Sequence, residues 1–272
     1  MKVLRISSLA ILMAAGMFGQ LAPPNEAGVR LGHIHLLVKD VAVQEKFWVE
    51  MMGGKVVKNG PLSLIEYPNV YIMLRQGEPS GAPAGSVVDH FGLVFRDLPA
   101  MMAKWKAAGV KVEQVPGNNP LQGYVNAPDG VRTEFFGDPK LPVEARVDHV
   151  HLASADIPAM QAWYQKVFGM KPGQRPRVST PGWVDCNFLP GDITWSYTAR
   201  DKAGEPTKGR SVDHIGFDVT NIDKFGENLA TIGLKFEAPP RQIPNAKTRV
   251  AFFTDPWGTY IEITENLAPP SK

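Results

Sequence analysis

Cysteine is almost missing from this chain of 272 residues. Cys186 stands alone, so no disulfide can form within the chain even in an oxidising compartment, and a buried thiol without a role is the expected reading. An excess of charge is missing too. The formal net charge is +2, and without Lys2 and Arg5 the 27 remaining basic residues face 27 acidic ones. That balance offers no electrostatic footing for nucleic acid or an anionic membrane surface. The apolar run Ile6–Phe18 falls short of the roughly 20 residues that span a bilayer. Histidine is scarce, with six residues, and all six fall in four short stretches: "LGHIHL" (31–36), "VVDHFG" (87–92), "VDHVHL" (147–152) and "SVDHIG" (211–216). A residue type confined to one kind of position points to chemistry rather than to space filling.

The first 22 residues read as a secretory signal. Lys2 and Arg5 form a charged start, Ile6–Phe18 an apolar stretch, and small residues around Ala14–Gly19 offer cleavage sites before the linker-like "LAPPNEAG". No Cys stands there to carry a lipid. A mature N-terminus between Gly16 and Asn25 is expected, with a periplasmic or secreted product that has no membrane attachment once the signal is removed. With 44 % hydrophobic residues, the remainder can bury one large core or two ordinary domains.

The remainder is repetitive. Residues 32–55 lie over 148–171 at a constant offset of 116, and 88–113 over 212–237 at an offset of 124. The order is therefore A-B-A′-B′. Each unit opens on an alternating or β-branched run, continues through a helical stretch of about a dozen residues, and closes on short strands separated by turns such as "APDG" and "DPWG". In 41–52, Val43, Phe47 and Met51 recur every four residues as a helical stripe that Gly53 ends. Phe47, Trp48, Trp105, Trp163, Tyr164 and Phe168 lie on helices and are expected in the core; Trp195, Tyr197 and Tyr260 lie on strands and are candidates for a pocket. "PSGAPAG" (79–85) and "RDKAGEPTKG" (200–209) read as linkers within each half, and "GDPKLPVEAR" (137–146) joins the halves.

Paired βαβββ units that open with "DH" and an apolar strand and close with "PDGVRTE" or "DPWGTYIEI" resemble the vicinal oxygen chelate superfamily. That group includes glyoxalase I, type I extradiol dioxygenases, fosfomycin-resistance thiol transferases, methylmalonyl-CoA epimerases and bleomycin-binding proteins. The resemblance covers roughly residues 29–266. It implies an α+β fold in which four units pair into two open barrel-like domains, 29–140 and 144–266. It also implies a divalent metal in each cup. Carried over position by position, it makes His33, His90 and Glu134 the ligands of the first half and His149, His214 and Glu262 those of the second.

Strand geometry supports those positions independently. Side chains alternate across a strand, so His33 and His35 share one face, as do Tyr260, Glu262 and Thr264. A buried, unpaired carboxylate costs several kcal/mol, and a divalent ion with imidazole and carboxylate ligands removes that cost. Hydrogen-bonded core histidines and ordinary strand-end glutamates are the alternative. The strands "VYIMLR" and "ITWSYTA" lack the fourth, acidic ligand of glyoxalase-I-like sites. Three ligands leave open positions, as an oxygen-activating Fe(II) site requires. Tyr124, ten residues before Glu134, matches a catalytic tyrosine of the extradiol dioxygenases, while the second half has Phe252 there. No histidine stands where those enzymes carry an acid/base residue, around Gln76 and Arg200, so His35 and His151 are the candidates for proton handling. Arg132 is a candidate for holding a substrate anion or, equally, for a salt bridge at the rim.

The leading expectation is thus an exported, metal-dependent enzyme, Fe(II) foremost and Mn(II), Ni(II) or Zn(II) as alternatives, that oxidises a small oxygen-chelating molecule as extradiol dioxygenases do. Catalytic roles go to His35, Tyr124, His151 and Tyr260. A glyoxalase-like lyase or isomerase, or a thiol transferase, is the first rival. A non-catalytic small-molecule binder of the bleomycin-resistance type is the second. An oligomer is compatible with either.

Overall fold

The computed structural model describes residues 21–114, 120–177 and 182–267. The expected signal segment therefore lies outside the described residues apart from Leu21 and Ala22. Among the described residues, no helix is long and apolar enough to cross a membrane.

Four βαβββ units follow one another. Unit A comprises β1 (Val29–Val38), α1 (Val41–Lys46) with a wider π turn (Phe47–Met51), β2 (Lys55–Asn59), β3 (Leu62–Glu66) and β4 (Tyr71–Gln76). Unit B comprises β5 (Val88–Phe95), α2 (Leu98–Ala107), β6 (Val112–Gln114), β7 (Gln122–Ala127) and β8 (Val131–Gly137). Unit A′ comprises β9 (Ala145–Ser154), α3 (Ile157–Phe168), β10 (Lys171–Pro176), β11 (Trp183–Leu189) and β12 (Ile193–Ala199). Unit B′ comprises β13 (Val212–Val219), α4 (Ile222–Ala230), β14 (Arg241–Gln242), β15 (Arg249–Thr254) and β16 (Tyr260–Glu265). The turn from first strand to helix is written the same way four times. Asp40, Asp97, Asp156 and Asn221 each cap a helix by accepting from the backbone N–H three residues on, a contact worth about 1 kcal/mol apiece.

The helical stripe expected at Val43, Phe47 and Met51 is displaced by one residue. Val43 is half exposed, and the buried line runs through Gln44, Trp48 and Met52. The Trp48 indole donates to Gln44 Oε1 at 2.9 Å, and the Gln44 amide donates to Pro128 O at 2.7 Å. A large ring that also finds a hydrogen-bond acceptor outcompetes a valine for the interior. Of the other helix aromatics, Trp105, Tyr164 and Phe168 are fully buried, while Phe47 and Trp163 are only partly buried against the core. Trp195, a pocket candidate, is core instead, against Tyr164 and Phe217.

The units do not pair as the two halves of the chain. One eight-stranded sheet runs β14-β15-β16-β13-β1-β4-β3-β2 and joins units A and B′; the other runs β10-β11-β12-β9-β5-β8-β7-β6 and joins B with A′. The cause is visible at the connection between the halves. The last residue of β8, Gly137, and the first of β9, Ala145, both lie opposite Phe95 of β5. Residues 138–144 therefore only have to cross one strand, so β9 returns antiparallel along the free edge of β5. The longer linkers 77–87 and 200–211 lead from one sheet to the other. What holds a half together is packing of helices. The Trp48 ring stacks on Phe91 at 5.6 Å, Trp105 donates to Met51 O at 2.7 Å, and the Phe168 ring stacks on Phe217 at 4.0 Å.

Candidate metal centres

Pairing across the halves regroups the expected ligands. Every residue named for a metal site is in one, but the sets differ. His33, His35, His214 and Glu262 form one cluster, and His90, Glu134, His149 and His151 the other, all buried, with one donor atom from each within 4.8 Å of the rest. The expected sets His33/His90/Glu134 and His149/His214/Glu262 are thereby corrected: β1 neighbours β13 rather than β5, so its histidines face His214.

In the B–A′ cluster, Glu134 Oε2 lies 3.1 Å from His90 Nε2 and 3.1 Å from His149 Nε2. Each donor has an outer partner. Asp89 Oδ1 is 2.8 Å from His90 Nδ1, Asp148 Oδ2 is 3.1 Å from His149 Nδ1, Thr198 Oγ1 is 2.5 Å from His151 Nε2, and the Gln122 amide donates to Glu134 Oε1 at 2.5 Å. In the A–B′ cluster, Glu262 Oε2 lies 3.2 Å from His33 Nε2, 2.7 Å from His214 Nε2 and 4.0 Å from His35 Nδ1. Asp213 Oδ1 is 2.6 Å from His214 Nδ1.

Two glycines make room for these rings. Gly92 pairs with His149 across β5/β9, and Gly216 with His33 across β13/β1. A Cβ on either glycine would overlap the facing imidazole. This is the physical content of "DHFG" and "DHIG". The acid before the histidine holds one ring nitrogen, and the glycine after it admits the ring from the neighbouring strand. Sequence reasoning noted the acid but gave neither it nor the glycine a role, and it missed Gln122 and Thr198 altogether. Gly92→Ala is expected to push His149 out of line and weaken metal binding at that cluster at least tenfold, on the scale set by disturbed ligand orientation. Chelator competition on the folded variant checks it, and unchanged affinity would show that His149 is not held by this contact.

The donor set fits a divalent metal. Three imidazoles and one carboxylate converge while buried polar atoms stay unpaired, His33 Nδ1, both ring nitrogens of His35 and Nδ1 of His151 among them. Buried polar groups without partners cost about 1–3 kcal/mol each, and an ion among the ring nitrogens that face it removes part of that cost. Three imidazoles with a carboxylate suit Zn, Ni or Fe. Each cluster brings four residues able to donate together where three were expected. Strand alternation puts His35 and His151 beside the first histidines, at sites whose β4 and β12 carry no acid.

Protonation of the clusters follows from burial and neighbours. Burial opposes ionisation of Glu134 and Glu262, yet the imidazoles against them outweigh it and hold both carboxyls well below the usual carboxylate range. Burial likewise opposes charge on His90 and His214, but hydrogen bonds to Asp89 and Glu134, and to Asp213 and Glu262, raise both above an ordinary histidine. His35 and His151 are driven well below it, by burial first and neighbouring histidines second. A metal must displace the protons held by His90 and His214. Metal affinity is therefore expected to fall as pH drops from above 6.5 through the raised values, by about tenfold per pH unit for each proton displaced. Chelator titration between pH 6 and 8.5 measures the slope, and a pH-independent affinity would exclude imidazole ligands.

Each cluster opens on a cavity. The B–A′ cavity, about 410 Å³, is lined by Tyr124, Glu134, His151, Arg175 and Trp183 among others. The A–B′ cavity, about 470 Å³, is lined by His35, Arg75, Lys208, Arg241, Phe252 and Tyr260 among others. Tyr124 sits edge-on to His90, ring centroids 5.3 Å apart. Its phenol is kept protonated by burial and by the Glu134 carboxylate, which push its pKa up. Arg132 takes the rim role: its guanidinium lies 3.7 Å over the Tyr124 ring and 3.3 Å from Asp89 Oδ1. The Tyr260 ring lines its cavity, but its hydroxyl is tied to Glu237 at 3.1 Å, away from the donors.

Fold and site together define a protein of paired βαβββ units that buries His/Glu clusters able to hold a divalent ion. The model of the Glyoxalase/Bleomycin resistance protein/Dioxygenase superfamily matches residues 30–135 and 146–263. The chain belongs to that superfamily. Its sequence is similar to a probable chloroplastic lactoylglutathione lyase of Arabidopsis thaliana, 22 % identical over 88 % of this chain and 73 % of that one. It is also similar to a lactoylglutathione lyase of rice, Oryza sativa subsp. japonica, at 22 % over 93 % of this chain and 97 % of that one. Among solved structures, glyoxalase I of Zea mays superposes with a TM-score of 0.70 at 20 % identity, covering 88 % of this chain and 92 % of the maize chain. A putative dioxygenase of Bacillus subtilis superposes with 0.64 at 13 %, covering 92 % and 87 %. At these identities the structural likeness speaks to the fold alone.

Proposed function

We propose that the protein is a metal-dependent, glyoxalase-like lyase or isomerase acting on a small molecule with vicinal oxygens, with its chemistry at the B–A′ cluster. The observation that carries this is the buried set His90, Glu134, His149 and His151, of which Glu134 and His151 line an open cavity together with Tyr124. A bound divalent ion would act there as a Lewis acid toward substrate oxygens. The chain's own groups do the rest. Glu134 is the carboxylate placed for proton transfer at a carbon next to a carbonyl, its Oε1 oriented by Gln122. Tyr124, protonated across the neutral range, donates to the oxygen on which charge develops. Arg175, whose Nε donates to Ser196 Oγ at 3.0 Å, presents positive charge to the cavity.

The similarity to lactoylglutathione lyases over most of the chain supports the lyase over the dioxygenase first expected. So does the fourth donor residue, which removes the argument from three ligands. The test is turnover of the hemithioacetal of methylglyoxal and glutathione by protein loaded separately with Zn(II), Ni(II), Mn(II) or Fe(II). Thioester formation without O₂ uptake is expected. O₂ uptake with a catechol, and no thioester, would return the dioxygenase.

We also propose export. Leu21 is buried against Leu64, Tyr71, Met73 and Leu267, which favours a cleavage bond that leaves Leu21 in place. A mature N-terminus from Gly16 to Leu21 is expected on N-terminal sequencing, and intact Met1 on all recovered protein would refute it.

A further inference from the structure

The repeat makes the two clusters comparable residue by residue, and their inner donors match: His33 with His149, His35 with His151, His214 with His90, Glu262 with Glu134. Around those donors the match fails at three places. Asp148, which holds His149 Nδ1, is replaced by Gly32, and His33 Nδ1 is left unpaired. Gln122, opposite Phe136 on β7/β8, corresponds to Val250, opposite Thr264 on β15/β16, so among the described residues no amide takes the place of Gln122 at Glu262. Thr198, which holds His151 Nε2, corresponds to Arg75, and both ring nitrogens of His35 are unpaired. Only the partner of the remaining histidine is kept, Asp213 on His214 for Asp89 on His90. A ligand whose far side is held is pre-oriented and more basic, and loss of one such partner typically costs about 10–100-fold in metal affinity.

We infer that the two clusters are inequivalent metal sites: the one on Glu134 retains its ion, and the one on Glu262 binds the same ion at least tenfold more weakly and exchanges it. This rests on the reading of both clusters as metal sites. The stoichiometry expected from the repeat alone, two like ions per chain, becomes one retained and one labile.

The experiment titrates the full chain with Zn(II) against a chromophoric chelator, and with Co(II) by its visible spectrum. Two phases are expected. Glu134→Ala should remove the tight phase and Glu262→Ala the weak one. Gln122→Leu and Thr198→Val should each weaken the tight phase about 10-fold or more, and Val250→Gln with Arg75→Thr should tighten the weak one. Two ions of equal affinity, or a tight phase lost in Glu262→Ala, would overturn the inference while leaving the metal reading intact. No binding at either cluster would remove both. Because Val250→Gln buries a polar group and can fail to fold, the Gln122→Leu arm, which deletes one instead, carries the decision.

Discussion

Glu134→Ala is expected to strip the B–A′ cluster of its metal and lower turnover by about 1,000-fold, equivalent to about 4 kcal/mol of transition-state stabilisation. Glu134 Oε2 is the point at which His90 and His149 converge, and its carboxylate is the single anionic donor of the cluster. Without it, three imidazoles would have to hold a divalent ion with no compensating charge. The raised affinity of His90 for a proton, which depends partly on Glu134, would also fall. The proposed proton-transfer group disappears with the same change, so metal content and turnover should fall together. Glu262→Ala, the matching change in the other sheet, should leave turnover within a few-fold of the parent. Metal analysis and steady-state rates on both variants make the check, and the reverse pattern would move the chemistry to the A–B′ cluster.

Tyr124→Phe is expected to lower turnover by about 100-fold, the usual cost of one lost donor to a developing oxyanion, without releasing metal. The phenol lies beside His90 and Glu134 and lines the cavity, but it is not one of the four donors. Phenylalanine keeps the ring on which the Arg132 guanidinium rests, so packing and the Arg132–Asp89 contact survive. The natural chain already carries this change in its other sheet. Phe252 stands opposite Glu262 as Tyr124 stands opposite Glu134. A variant that loses metal would mean that Tyr124 supports the donors; one with parental turnover would mean that the phenol takes no part in the reaction.

Several of these features are legible in the sequence alone. Period-2 alternation in "GHIHL" puts His33 and His35 on one face, because successive residues of a strand point to opposite sides. The offsets of 116 and 124 define four units. Other features are open to sequence only in part. The helical period near Val43 is correct, but which residue of each turn is buried is settled by a hydrogen bond between Trp48 and Gln44, a competition that spacing does not rank.

By itself, the sequence, through its resemblance, named six of the eight residues that meet in the two clusters and placed His35 and His151 beside them, since a strand's pleat and a repeat's register are properties of the local chain. It determined the four βαβββ units for the same reason. Which donors meet was decided only by the tertiary structure. The partner of β1 depends on which strand edge is free when the chain returns, and the crossing by residues 138–144 gives the edge of β5 to β9 and leaves β1 to β13. Some outer partners belong to the same category. Gln122, Thr198 and Val250 lie many residues from the groups they do or do not support, and the Gln122–Glu134 and Thr198–His151 hydrogen bonds run between strands, where adjacency comes from the sheet and not from the chain; the aspartates that hold His90, His149 and His214 are chain neighbours instead.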